Sequence, residues 1–206
     1  MINKKKGVSK IKSYFKKLAL LFSMILLVGC SVLNKSSIEL TNKSVEIHIA
    51  ENDIQQFDEL NQERESFSTV SLRYHFSIKN TGNRTVGGIE EVDPVTYQIN
   101  DGLSYIIEPS EELLNTSIEI LGFNLFDESE RAANSLGTGW SINPMLKKGE
   151  VGENYLDFDL GVKEQTDQYN VVPSMEQLNI LKETALNSTL IVTIKDEEIA
   201  RFKLNE

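Results

Sequence analysis

Residues 69–79 alternate without a break. Val70, Leu72, Tyr74, Phe76 and Ile78 are apolar, whereas Ser71, Arg73, His75, Ser77 and Lys79 are polar. Successive side chains of a strand point to opposite faces, so this pattern specifies a strand with one side on a core and the other toward water. A helix would scatter the same apolar positions around its circumference. Slipping the register by one residue would turn all of them to solvent, which pins the pairing. The run stops at Asn80-Thr81-Gly82-Asn83, residues that tolerate a left-handed backbone and close a turn. The fold must therefore supply an antiparallel sheet with one covered face.

The rest of the body reads the same way. Val45, Ile47 and Ile49 alternate with Glu46 and His48, and residues 85–89 are predicted to return from the turn. Residues 95–99 and 103–107 flank Asn100-Asp101-Gly102, a hairpin signal because Asp-Gly suits the twisted turn. Residues 117–126, 155–160, 190–195 and 199–204 complete the strands, the last two joined through Asp196-Glu197-Glu198. One helix is predicted near the C-terminus. Ser174 can cap it, Gln177 sits at the reciprocal capping position, and Leu178, Leu181 and Ala185 share a face. Residues 51–65 are polar and read as an exposed loop or a frayed helix.

Many short strands with turns between them imply a mainly β, antiparallel sandwich. The stretch LRYHFSIKNTGNRTV (residues 72–86) resembles the B-strand, turn and C-strand of immunoglobulin-like domains on bacterial surfaces. The resemblance implies an immunoglobulin-like β-sandwich over residues 38–206 with one short helix. With a single cysteine and a single tryptophan, the disulfide and core tryptophan of antibody domains have no counterpart.

The N-terminal segment has a different character. Residues 1–29 hold seven lysines and no acid, and LALLFSMILLV (residues 18–28) is an apolar run broken only by Ser23. A bilayer-spanning helix needs about 20 apolar residues, so the run fits a signal-peptide core better. It ends in Leu27-Val28-Gly29-Cys30, which resembles the lipobox of bacterial lipoproteins. That resemblance implies a diacylglycerol on the Cys30 sulfur and cleavage before Cys30. Residues 1–29 are then a signal peptide, 30–37 a lipidated tether and 38–206 the folded domain. The expected place is the cell membrane, on its extracytoplasmic face. Once Cys30 is acylated, no cysteine is left for a disulfide, a thiol nucleophile or a multi-cysteine metal site.

Charge narrows the partners. Past residue 29 the chain holds 14 basic and 31 acidic residues, a net −17. Nucleic acid is excluded as a partner, because its phosphates need Lys and Arg. Anionic lipids and wall polymers would repel such a body, and basic partners would be favoured.

Candidate chemistry is sparse. His48 and His75 fall on polar parities without metal-ligand spacing, and no Gly-x-Ser-x-Gly elbow occurs. Asp157 and Asp159 share one strand face, where they could bind Ca²⁺ or act as an acid–base pair. The plainer reading leaves both carboxylates in water. Residues 131–149 lack alternation and carry Gly137-Thr138-Gly139-Trp140-Ser141, a candidate contact loop. Trp140 would be its apolar anchor and Lys147 and Lys148 a local basic exception. No cofactor or metal is expected. The sequence thus predicts a non-enzymatic, lipid-anchored binding or interaction module with an unknown protein or peptide partner. The alternative is a small-ligand receptor or immunity lipoprotein, which would need a concave pocket.

Overall fold

The computed structural model describes residues 37–58, 63–95, 99–164 and 170–206. The signal-peptide run and Cys30 lie outside them. Residues 37–206 form one compact unit. It is mainly β, with antiparallel sheets and three helices.

The larger sheet contains β1 (Ile38–Asp58), β2 (Glu63–Asn80), β5 (Thr138–Ser141) and β7 (Val151–Val162), in the order β1-β2-β7-β5. The alternating run forms the heart of β2. Val70, Leu72, Tyr74, Phe76 and Ile78 are all buried, as their parity requires. Val45, Ile47 and Ile49 of β1 pair with Tyr74, Leu72 and Val70 and so share that inner face. A bulge between Leu40 and Asn42 lets β1 keep its apolar residues inward on both sides of the irregularity. Where a loop or frayed helix was predicted over residues 51–65, β1 and β2 instead extend as paired strands to Asp58 and from Glu63. The reason is ladder pairing. Once β1 and β2 are in register, continuing the backbone hydrogen bonds satisfies groups that a loop would leave to water.

The second sheet has β4 (Leu103–Pro109), β8 (Ser188–Ile194) and β9 (Glu197–Lys203) in the order β4-β8-β9. Its Leu103, Tyr105, Ile107, Leu190 and Val192 join the core built on β2. The two faces meet where Phe76 packs edge-on to Tyr105, with ring centroids 4.8 Å apart. The β8–β9 turn is tighter than expected: Lys195 and Asp196 alone span it, both at positive φ, and Glu197 and Glu198 belong to the strand. Residues 96–98 of the predicted hairpin around Asn100-Asp101-Gly102 lie outside the described residues. The partner of β4 is β8, while Ile99 makes only an isolated bridge to Val92. The predicted return strand over residues 85–89 shrinks to β3 (Val86–Gly87), paired with β6 (Met145–Leu146).

Among the described residues three helices stand where one was expected. The C-terminal helix is present as α3 (Met175–Ala185), with the Ser174–Gln177 capping box and Leu178, Leu181 and Ala185 buried. A strand was predicted over residues 117–126, but residues 122–126 form turns and α1 (Glu111–Leu121) takes the first half. Its end signals outweigh its β-branched content. Ser110 caps Leu113 N–H, Glu111 and Glu112 sit in the positive first turn, and Gly122 closes the helix at φ 83°. The short α2 (Glu128–Ala133) is capped by Asp127. Tyr74 donates its hydroxyl to Ala185 O at 3.0 Å, which ties the centre of β2 to the end of α3.

A candidate binding cleft at the edge strand

Trp140 does not lie on an irregular loop. The segment 131–149 begins in α2, forms β5 and β6, and closes in a turn through Gly149. Its lack of alternation reflects glycine, not disorder. Gly139 pairs with Asp157 across β5 and β7, and a Cβ at Gly139 would sit 3.4 Å from the Asp157 Cβ. At Gly137 the added carbon would sit 3.1 Å from Asp159 Oδ2, the atom that accepts Gly137 N–H. Bare positions let β5 approach the two carboxylates of β7, and that costs the strand its visible pattern.

Those carboxylates are not free in water. Asp157 receives two 2.6 Å hydrogen bonds from Arg73, one to each oxygen, in a bidentate pair whose side chains are 12% and 15% exposed. The Arg73 guanidinium also lies 4.4 Å from the centre of the Tyr155 ring. The hydrogen bond to Asp157 is the leading cause holding the Arg73 pKa above its ordinary value. Both Asp157 oxygens are thus engaged, and among the described residues no group of three His, Cys, Asp or Glu side chains gathers as a metal site. The histidines sit on the same outer face. His75 Nε2 lies 3.4 Å and His48 Nδ1 3.9 Å from Glu46 Oε1.

The inner face of β5 is different. Trp140 pairs with Leu156, and Leu156 pairs with the core residue Tyr74, so the indole continues the apolar face beyond β7. Yet Trp140 is 61% exposed. It lies on a cleft of about 710 Å³ between the edge of the larger sheet and the second sheet. Trp140, Leu156 and Ile142 line it from the side of the larger sheet, Leu103, Tyr105 and Thr193 from the second sheet, and Pro144, whose carbonyl accepts Leu103 N–H at 2.8 Å, joins the two. Glu91, Lys195 and Asp196 add charge, and all three are exposed. Lys195 Nζ bonds Glu91 Oε1 at 2.6 Å, which raises the ammonium pKa, with Asp101 adding attraction. Three acids around one cation leave this side of the cleft negative.

Tyr105 adds an unusual feature. It is 8% exposed, and its hydroxyl is buried with no hydrogen-bond partner among the described residues. Burial raises the phenol pKa, so the group stays neutral.

Of the residues singled out in the sequence, Trp140 lines the cleft. Lys147 and Lys148 are exposed in the turn ahead of β7 and are not part of the lining. Sequence reasoning missed the second wall and the acids. Tyr105 was visible only as one apolar position of a strand, and Asp196 only as part of a turn. Nothing in the sequence brings residue 140 to residues 105 and 196, because that contact is made by sheet packing. Comparison with known proteins finds no matching family model, and no curated protein or solved structure is similar to the chain.

Proposed function

We propose that the chain is a lipid-anchored binding module on the extracytoplasmic face of the cell membrane, non-enzymatic, with the Trp140 cleft as its contact surface. The observation that carries the reading is an exposed indole on an apolar wall. Tryptophan beside a concave, partly covered surface is the residue type most often found to dominate binding energy. The carboxylates and histidines of the outer face support a non-catalytic reading, since they face Arg73, Gly137 N–H and Glu46. The anchor is supported by Leu27-Val28-Gly29-Cys30, and no helix among the described residues is long and apolar enough to cross a membrane. Tethering keeps the domain at a high local concentration for partners near the membrane. The finer architectural reading, an immunoglobulin-like sandwich carrying helical insertions, is supported by the resemblance of residues 72–86.

The volume of the cleft favours a second reading, a receptor for a small solute, since ligand pockets commonly run from about 300 to 1,000 Å³. Both readings place Trp140 at the contact. The test is recovery of partners from crosslinked membranes with wild-type chain and Trp140→Ala. The variant is expected to lose about 2 kcal/mol of binding, as a hot-spot residue does. Its unfolding midpoint should stay close to wild type, because the side chain is mostly exposed already. Unchanged recovery per folded molecule would move the contact surface elsewhere.

A further inference from the structure

Trp140, which lines the cleft, belongs to an edge strand. In the order β1-β2-β7-β5, β5 pairs among the described residues with β7 alone, so one row of its backbone groups faces outward. Proteins blunt such edges with charged residues or proline. The other edge strands of the two larger sheets follow this rule. Lys43 and Glu46 lie on β1, Glu108 and Pro109 on β4, and Glu197, Glu198, Arg201 and Lys203 on β9. Thr138-Gly139-Trp140-Ser141 contains neither charge nor proline. Its outer face carries only Gly139 and the small Ser141, which present little to obstruct an arriving strand, and its tryptophan lines the cleft.

We propose that β5 accepts an extended segment of a basic polypeptide, which adds to the sheet as a further strand and lays an apolar side chain against Trp140. The inference rests on the cleft being the contact surface and names how and by what it is filled. Strand addition supplies main-chain hydrogen bonds, while alternate side chains enter the pocket and give selectivity. The basic character follows from the surroundings. Glu91, Asp101 and Asp196 outnumber Lys195 beside the cleft, and the chain past residue 29 carries −17. The same charge opposes a second copy at this edge, since two such bodies repel.

Trp140 is the only tryptophan, so the emission of the detergent-solubilised full chain reports on the cleft. The probe is the peptide acetyl-KVKFKVK-amide, compared with acetyl-EVEFEVE-amide. Two further versions of the basic peptide carry N-methyl groups on one or the other alternate set of amides. The basic peptide should shift the emission saturably, and the acidic one should bind at least about tenfold more weakly because its charge opposes the acids around the cleft. One N-methylated version should lose binding and the other keep it, because only one set of amides can face β5. Asp196→Asn, which keeps a residue tolerant of φ 63°, should weaken the basic peptide several-fold without abolishing the methylation pattern. Equal binding of both methylated versions would mean that the peptide merely coats an acidic surface, and would overturn strand addition. No shift with the basic peptide would overturn it too, as would a concentration-dependent dimer that the peptide cannot displace. If the peptide fails while Trp140→Ala still loses its partners, the cleft stands and only the strand mode falls.

Discussion

Two tyrosines on facing sheets show how little of a side chain's role lies in its type. Tyr74 and Tyr105 are both buried, and burial pushes both phenols above their ordinary pKa. Tyr74 donates to Ala185 O, an acceptor that also receives Ser188 Oγ at 2.7 Å. Tyr105 has no partner for its hydroxyl among the described residues. A buried hydroxyl without a hydrogen bond carries a desolvation cost that nothing offsets, whereas a satisfied one contributes about 1 kcal/mol. Tyr74→Phe should therefore lower stability by about 1 kcal/mol, and by no more, because Ser188 keeps the carbonyl satisfied. Tyr105→Phe should be neutral or stabilising. Urea unfolding of both variants checks this, and a loss at Tyr105 matching that at Tyr74 would show that its hydroxyl has a partner after all.

At the scale of elements, parity makes the sharpest prediction. Phe76 is 2% exposed and packs on Tyr105, while the adjacent His75 lies on the outer face near Glu46 and Tyr155. Phe76→Ala should cost about 3–5 kcal/mol through lost burial and the cavity left behind. His75→Ala should stay within about 0.5 kcal/mol. Chemical denaturation of the pair tests the register, and equal losses would contradict it. This element was legible because its covered face is apolar at every second residue, although Ser71 and Ser77 on the face expected toward water are buried as well. The same logic made β7, β8, β9 and α3 readable. Besides residues 51–65 and 85–89, it failed in α1 and in β5, for different reasons. In α1, Ile118 and Ile120 mimic strand alternation, and the decisive information sits at the ends, in Ser110 and Gly122. In β5 the strand is held by β7 and needs no side chains on its outer face, so glycine erases the pattern. The cleft was less legible than either element. Its tryptophan was conspicuous, but the opposite wall comes from β4 and β8 through packing that no local pattern encodes.

The whole molecule divides its tasks along the chain. The core draws on residues from Ile38 to Leu204, all within the compact unit that begins at Ser37. Folding should then be independent of anything attached upstream, and attachment independent of folding. Burying one acyl methylene contributes about 0.8 kcal/mol, so two long chains on Cys30 would hold the domain at a membrane against any ordinary dissociation. The −17 charge past residue 29 would work in the other direction, since anionic lipid would repel the domain. Wild-type chain should begin at Cys30, carry the mass of a diacylglycerol and partition into detergent. Cys30→Ser removes the only thiol, so it should yield an unacylated precursor that retains residues 1–29. Its unfolding midpoint and Trp140 emission should equal those of wild type, because no part of the core lies near the change in sequence. Intact mass and denaturation on the two proteins decide the matter. A membrane-bound wild-type chain with Met1 retained and no acyl mass would remove the anchor, and a lowered midpoint in Cys30→Ser would show that the tether takes part in the fold.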